Sequence, residues 1–333
     1  MAKKLIVSFD GTWNTPDDDA YLTEQIETNA RRLYESILIT PTQLKWYDKG
    51  VGSKWYDHIR GGTFGIGLDK NLKQGYEFLI ENHEDGDEVY VFGFSRGAYT
   101  ARSLVGLIRN CGLLKKAHLR RIDTAYEIYR TRDEGADSET ATFFRREFAK
   151  EIHVKFLGVW DTVGALGIPL ESFRWFNKRR YEFHDTELSS IVENAYHAVA
   201  VDEHREAYAV TLWNPKAKPQ QAMEQRWFLG AHSDVGGGYV DRHLSDITLR
   251  WMQEKVQAVG LELDPVHIPQ VTDNYQAPVT DSYRQFLKGA YSRFHTRFYR
   301  GVRQTANGNE AVDDTVGLRR QGNPNYRPKN QGL

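Results

Sequence analysis

The stretch VYVFGFSRGAYTAR at 89–102 sets Ser95 inside Gly-Phe-Ser-Arg-Gly, after a run of β-formers and before a helix-like pattern. A serine held on a sharp strand-to-helix turn exposes its hydroxyl as a nucleophile, provided that small residues two before and two after it let neighbouring backbone pass. Gly93 and Gly97 hold those places, and Ala98 extends the small surface. G-x-S-x-G alone recurs by chance; the strand before it and the helix after it give it weight. A serine hydroxyl near neutral pH also needs a base, most often histidine, and a carboxylate to orient that base.

In open parallel sheets such groups collect beyond the carboxyl ends of strands. FLGVWDTVG leaves Asp161 at one strand end, and WFLGAHSDVGGGY leaves His232 at another, with a glycine-rich loop behind it. The order Ser95, Asp161, His232 is the serine, acid, histidine order of α/β-hydrolases. Both supporting roles have competitors. His197 and His204 lie in NAYHAVAVDEHREAY with Asp202 between them, and Asp234 stands two residues past His232 as an alternative acid. Stabilising the developing oxyanion needs aimed donors. The backbone N–H of Arg96 is one, and the N–H of Gly11 or Thr12, in FDGTWN just past the first strand, is the second. Asp10, Asp161, His232 and Asp234 also form an oxygen-and-nitrogen set of the kind that holds a divalent ion. Their spacing is not diagnostic, and neither a metal nor a cofactor is expected.

The elements that must position these groups alternate along the chain. LIVSFD (5–10) is a continuous apolar run, as in a strand buried on both faces of a parallel sheet. LKWY (44–47), EVYVFGF (88–94), HVKFLGVW (153–160) and RWFLGA (226–231) read as further strands. Helical spacing marks Ile26 to Leu38, Leu68 to Ile80 and Ala98 to Ile108, and helices are also expected over about 187–200 and 245–258. The alternation predicts an α/β fold, a mainly parallel sheet with helices on both faces. Residues 163–186 break the pattern as an inserted cap segment between the acid and base strands. The glycine-rich GGTFGIG (61–67) matches no phosphate-loop pattern and reads as a loop walling the site. One catalytic domain over 1–303 is expected, with 304–333, rich in Asn, Gly, Arg and Gln, a poorly ordered tail.

Composition narrows the function classes. With 44 Lys and Arg against 45 Asp and Glu, the formal net charge of −1 argues against nucleic acid as a partner. The single cysteine, Cys111, excludes an internal disulfide framework and fits a reducing compartment. The apolar start Leu5 to Phe9 is too short for a signal-peptide core, so a soluble protein made in the cytoplasm without a cleavable export signal is expected.

The blocks FDGTWN, YDKGVG, GDEVYVFGFSRGAYTARSL, FLGVWDTVGAL, HAVAVDEHR and GAHSDVGGGY, in this order over about residues 4 to 260, resemble a family. It is the α/β-hydrolase-like domain family of formerly unknown function that includes the type VI secretion phospholipase effectors. The resemblance implies a Ser-Asp-His ester hydrolase acting on lipid or phospholipid acyl esters, with Ser95 as nucleophile, Asp161 as acid and His232 as base. SFDGTWN also resembles the first motif of haloacid-dehalogenase-like phosphatases, but Ser8 stands where their nucleophilic aspartate would be. Two stretches interleave aromatic and basic residues: SFRWFNKRRYEF (172–183) and YRQFLKGAYSRFHTRFYRGVR (283–303). Such stretches suit peripheral contact with an anionic membrane surface and single-stranded nucleic acid as well; for each alone, aromatics packed inward beneath solvated arginines is the leading reading. The expectation is therefore a serine ester hydrolase working through an acyl-enzyme. The rival readings are a catalytically idle binding module and a metal-dependent phosphodiester hydrolase.

Overall fold

Alternate residues of the first strand, β1 (Lys4–Phe9), enter two different cores. Leu5, Val7 and Phe9 pack on one side of the sheet and Ile6 on the other, so both faces of the strand are apolar. The computed structural model of the chain describes residues 2–11, 27–50, 63–131, 135–164, 187–213, 218–305 and 309–333. Six more strands join β1 in one sheet: β2 (Gln43–Asp48), β3 (Glu88–Phe94), β4 (Val154–Trp160), β5 (Val192–Ala200), β6 (Ala222–Phe228) and β7 (Glu310–Val312). The order across the sheet is β2-β1-β3-β4-β5-β6-β7, and every neighbouring pair is parallel.

Helices cover both faces. α1 (Asn29–Ser36) follows β1, α2 (Thr63–Asn82) follows β2, and α3 (Arg96–Cys111) follows β3. α4 (Ile122–Arg130) and α5 (Glu139–Phe148) precede β4, while α6 (His232–Gly236), α7 (His243–Gln257) and α8 (Asp314–Gly322) complete the set used here. Leu72, Tyr76 and Leu79 of α2 and Ala101, Leu104 and Ile108 of α3 fill the core that receives Leu5, Val7, Val89 and Val91. Ala30 and Leu33 of α1 and Leu249, Met252 and Val256 of α7 fill the other, against Ile6, Tyr90, Phe92 and Phe156. Burying each such large apolar side chain stabilises the fold by about 1.5–3 kcal/mol. The arrangement is an α/β-hydrolase-like one, with all parallel strands ending on the edge that carries Asp10, Ser95 and Asp161.

Three expectations are corrected. The segment read as a helix over 187–200 is strand β5, because Val192, Ala195, Ala198 and Val199 are buried between β4 and β6. The glycine-rich stretch is not simply a loop, since α2 already begins at Thr63. The tail expected to be poorly ordered contributes β7, paired with β6, and α8. Val316 of α8 enters the second core, with Val312, Tyr326 and Leu333 packed against it. Polar anchors join it: the Trp227 indole donates to Glu310 Oε2 (2.6 Å), and Asn330 Nδ2 donates to the carbonyls of Val201 and Arg300, both at 3.0 Å. Most of the cap segment lies outside the described residues, and with it Phe173, Arg174, Trp175, Phe176, Lys178, Arg179, Arg180, Tyr181 and Phe183.

Candidate active site

Ser95 stands alone between β3 and α3 with φ +57° and ψ −119°, a conformation sparsely populated by residues with a side chain. Two glycines make the turn possible. A Cβ on Gly93 would lie 2.4 Å from the Gly97 carbonyl oxygen, and one on Gly97 would lie 2.3 Å from the Phe9 carbonyl oxygen. Backbone cannot yield as a flexible side chain can, so Gly97→Ala is expected to cost about 1–3 kcal/mol. A lowered urea midpoint with an unchanged m-value would show it; an unchanged midpoint would mean that the crossing of α3 over β1 is looser than drawn.

His232 opens α6, just past β6. Its Nδ1–H donates to Asp161 Oδ2 at 2.6 Å, which leaves Nε2 to accept the Ser95 hydroxyl at 2.8 Å. All three are withdrawn from water, with exposures of 7% for Ser95, 3% for His232 and 0% for Asp161. The imidazole is held between two rings, Phe94 at 4.7 Å and Tyr208 at 5.0 Å between centroids. A Cβ on Gly236, in the glycine run after His232, would fall 1.9 Å from the Phe94 ring, so glycine there lets α6 close on the elbow.

Asp161 follows β4 at φ +36°. Its Oδ1 accepts from the Ala200 N–H (2.9 Å) and Arg300 Nη1 (2.6 Å), and its Oδ2 accepts from Arg300 Nη2 (3.0 Å) as well as from His232. Burial alone would raise the Asp161 pKa, but the Arg300 charge and the histidine hydrogen bond outweigh it and hold the carboxyl well below the usual carboxylate range. At His232 burial wins: it pushes the imidazole below its ordinary value, although Asp161 pulls the other way. At neutral pH the pair is therefore carboxylate and neutral imidazole, the state in which Nε2 can take a proton.

The competing residues serve elsewhere. His197 is buried on β5, where Nε2 accepts the Thr162 N–H (3.1 Å) and burial pushes its pKa down to about 3. Asp202 accepts from the Gly230 N–H and the Tyr326 hydroxyl, each at 2.9 Å, and His204 Nδ1 meets the Phe298 carbonyl at 3.0 Å. Asp234 accepts from the Ala231 N–H at the start of its own helix and from the Thr280 N–H and hydroxyl. Asp10 accepts from the hydroxyls of Thr28 and Tyr47. Among the described residues no group of three or more His, Cys, Asp or Glu side chains is placed to hold a metal ion.

Of the residues expected to supply oxyanion donors, Arg96 and Gly11 are described. Arg96 is the first residue of the 16-residue α3 and follows Ser95 directly. The Gly11 N–H, one of the two candidates for the second donor, donates to Asp10 Oδ1 at 2.7 Å. Gly11 packs close to Ser95, since a Cβ there would lie 3.3 Å from that of Ser95. Thr12 lies outside the described residues.

Sequence reasoning missed two groups. Arg300, 2% exposed, binds Asp161 and also donates to the carbonyls of Ala200 and Tyr208. Glu203 accepts the His232 N–H (3.3 Å) and pairs with Arg205 through two 2.8 Å bonds. Arg300 belongs to the basic-aromatic stretch 283–303, with its arginines expected on a solvated face or against anionic lipid. Part of that stretch turns inward, with Tyr283, Tyr291 and Arg300 buried, while Phe294 stays 83% exposed.

Comparison with known proteins adds the following. The family model described as T6SS, phospholipase effector Tle1-like, catalytic domain, matches residues 3–255. An uncharacterized protein of Saccharomyces cerevisiae is 29% identical over 239 residues, covering 64% of this chain and 33% of its own, so the chain spans about a third of that relative. Among solved structures, an uncharacterized protein from Pseudomonas aeruginosa is 16% identical with a TM-score of 0.45, over 89% of this chain and 51% of its own. The Tle1 effector bound to the VgrG spike of the type VI secretion system is 20% identical with a TM-score of 0.40, over 72% and 51%.

Proposed function

The chain belongs to the Tle1-like catalytic-domain family of type VI secretion phospholipase effectors, and from that premise we propose that it hydrolyses acyl esters of phospholipids with Ser95, His232 and Asp161. The observation that carries the proposal is the unbroken hydrogen-bonded line from the strained Ser95 hydroxyl through His232 to Asp161. Ser95 Oγ attacks the ester carbonyl while Nε2 of His232 takes its proton, and Asp161 stabilises the imidazolium that forms. The Arg96 N–H faces the developing oxyanion. On collapse, Nε2 returns the proton to the departing alcohol oxygen of the lysophospholipid, leaving an acyl-serine. A water molecule activated by the same imidazole then releases the fatty acid. Nothing in these steps calls on a cofactor. Among the described residues no helix is long and apolar enough to cross a membrane; the substrate would be met at a lipid surface, after delivery of the kind the family's members undergo.

The test is incubation with diacyl phospholipid vesicles and with a short-chain nitrophenyl ester, with and without EDTA. Fatty acid and lysophospholipid are expected, at a rate indifferent to EDTA. Headgroup release that EDTA abolishes would overturn the reading in favour of metal-dependent phosphodiester chemistry.

The state of His232 gives a pH prediction. The base works only when neutral, so activity is present above its folded pKa and lost as pH falls through that value. Burial sets the value below the ordinary histidine pKa of about 6.5. The acid limb of kcat/KM on the soluble ester is thus expected to have its midpoint below about 6.5. A midpoint above the ordinary value would mean that His232 is not held as described.

A further inference from the structure

Four charged side chains lie buried behind the imidazole and sum to zero: Asp161 and Glu203 against Arg205 and Arg300, at exposures of 0%, 0%, 5% and 2%. They arrive from separate parts of the chain. Asp161 follows β4, Glu203 and Arg205 follow β5, and Arg300 comes from the segment before β7, 139 residues beyond Asp161 and outside the matched residues 3–255. Arg300 meets both oxygens of Asp161 in a two-pronged arrangement that fixes the carboxylate plane as well as its position. Its own backbone is held by Asn330, three residues before the last of the 333-residue sequence.

Resting on the hydrolase reading above, we propose that Arg300 is a positioning residue: it aims the Asp161 carboxylate at His232 Nδ1 and cancels the charge that would otherwise draw a proton onto the imidazole. The surroundings of His232 leave this task to few groups. Asp161 and Glu203 face it as anions; Arg205 faces it from behind Glu203, stacked over Tyr208 at 3.5 Å; Ser95, Phe94 and Tyr208 are its neutral neighbours. Asp234 on its own helix is occupied by Ala231 and Thr280, and Arg96 opens the helix that follows Ser95. On the far side of Asp161, His197 stays neutral, with Arg102 near it. Without Arg300 the buried set becomes net negative. The Asp161–His232 pair then takes up a proton at higher pH, whichever member carries it. The segment past the matched domain would thereby complete the active site and set its pH range, rather than trail from it.

Arg300→Met, Arg300→Lys and the unchanged chain would be compared by kcat/KM against pH and by NMR titration of histidine-labelled protein, with the His232 signal assigned by its loss in His232→Gln. Arg300→Met is expected to lower kcat/KM at neutral pH on the order of 10²-fold, as a misaimed catalytic group does. Both the acid limb and the His232 titration should move up by about 1–3 pH units, the size of a lost neighbouring charge. Arg300→Lys keeps the charge without the fork, so its pH limb should stay near that of the unchanged chain while the rate falls. An unmoved His232 titration in folded Arg300→Met protein overturns the inference, as does a loss of activity uniform across pH in both variants. If the titration moves but no ester is cleaved by the unchanged chain, the hydrolase reading fails and the charge balance stands.

Discussion

Ser95→Ala is expected to lower turnover of an acyl ester on the order of 10⁶-fold, the scale seen when a serine hydrolase loses its nucleophile. The size follows from the mechanism. The other donors and the imidazole stay in place, but no covalent route remains, and water must attack without a positioned nucleophile. The fold should tolerate the change, because among the described residues the Ser95 hydroxyl makes one hydrogen bond, to His232, and the turn is set by Gly93 and Gly97. The measurement is single-turnover ester cleavage alongside a thermal melt. A loss of only a few-fold in a protein with an unchanged melt would make Ser95 a turn residue, despite its strained φ.

Asp161→Asn is expected to lower kcat on the order of 10⁴-fold while leaving binding of substrate nearly as it was. The amide matches the carboxylate in shape, but toward His232 it can present N–H₂, which favours the tautomer with its proton on Nε2. That imidazole cannot accept the Ser95 proton. The same substitution leaves Arg300 without its anion in a dry site, so some stability is lost as well, and the melt must be read beside the kinetics. A kcat within ten-fold of the unchanged chain would show that another acid orients the base. Among the described residues Glu203 and Asp234 are the alternatives, the first paired with Arg205 and the second held by Thr280.

The parts of the site that could be read from the residues are those with local stereochemical demands. G-x-S-x-G between a β-run and a helical pattern states the close approach of Gly97 to Phe9 almost directly. The placing of Asp161 and His232 followed from strand ends, which an apolar run marks well. β5 was harder. In VENAYHAVA the apolar residues recur in a way that fits either period, and only burial between two neighbouring strands decides the matter. The final thirty residues look unanchored because few of them are apolar, Val316 being the one among the described residues that enters the core. Much of their hold runs through Glu310, Tyr326 and Asn330, whose buried partners composition does not show. Arg300 was hidden for a related reason: its partner stands 139 residues away, and six basic residues among aromatics look like a surface. Nor does FDGTWN reveal that the Asp10 carboxylate turns back onto the Gly11 N–H.

The most direct test of the central claim is to treat the protein with a fluorophosphonate, digest it and locate the adduct by mass spectrometry. The account predicts one phosphonylated residue, Ser95, with labelling that slows as pH falls below the His232 pKa and is lost in His232→Gln. An adduct on a different residue, or intact ester hydrolysis with Ser95 unmodified, would contradict it.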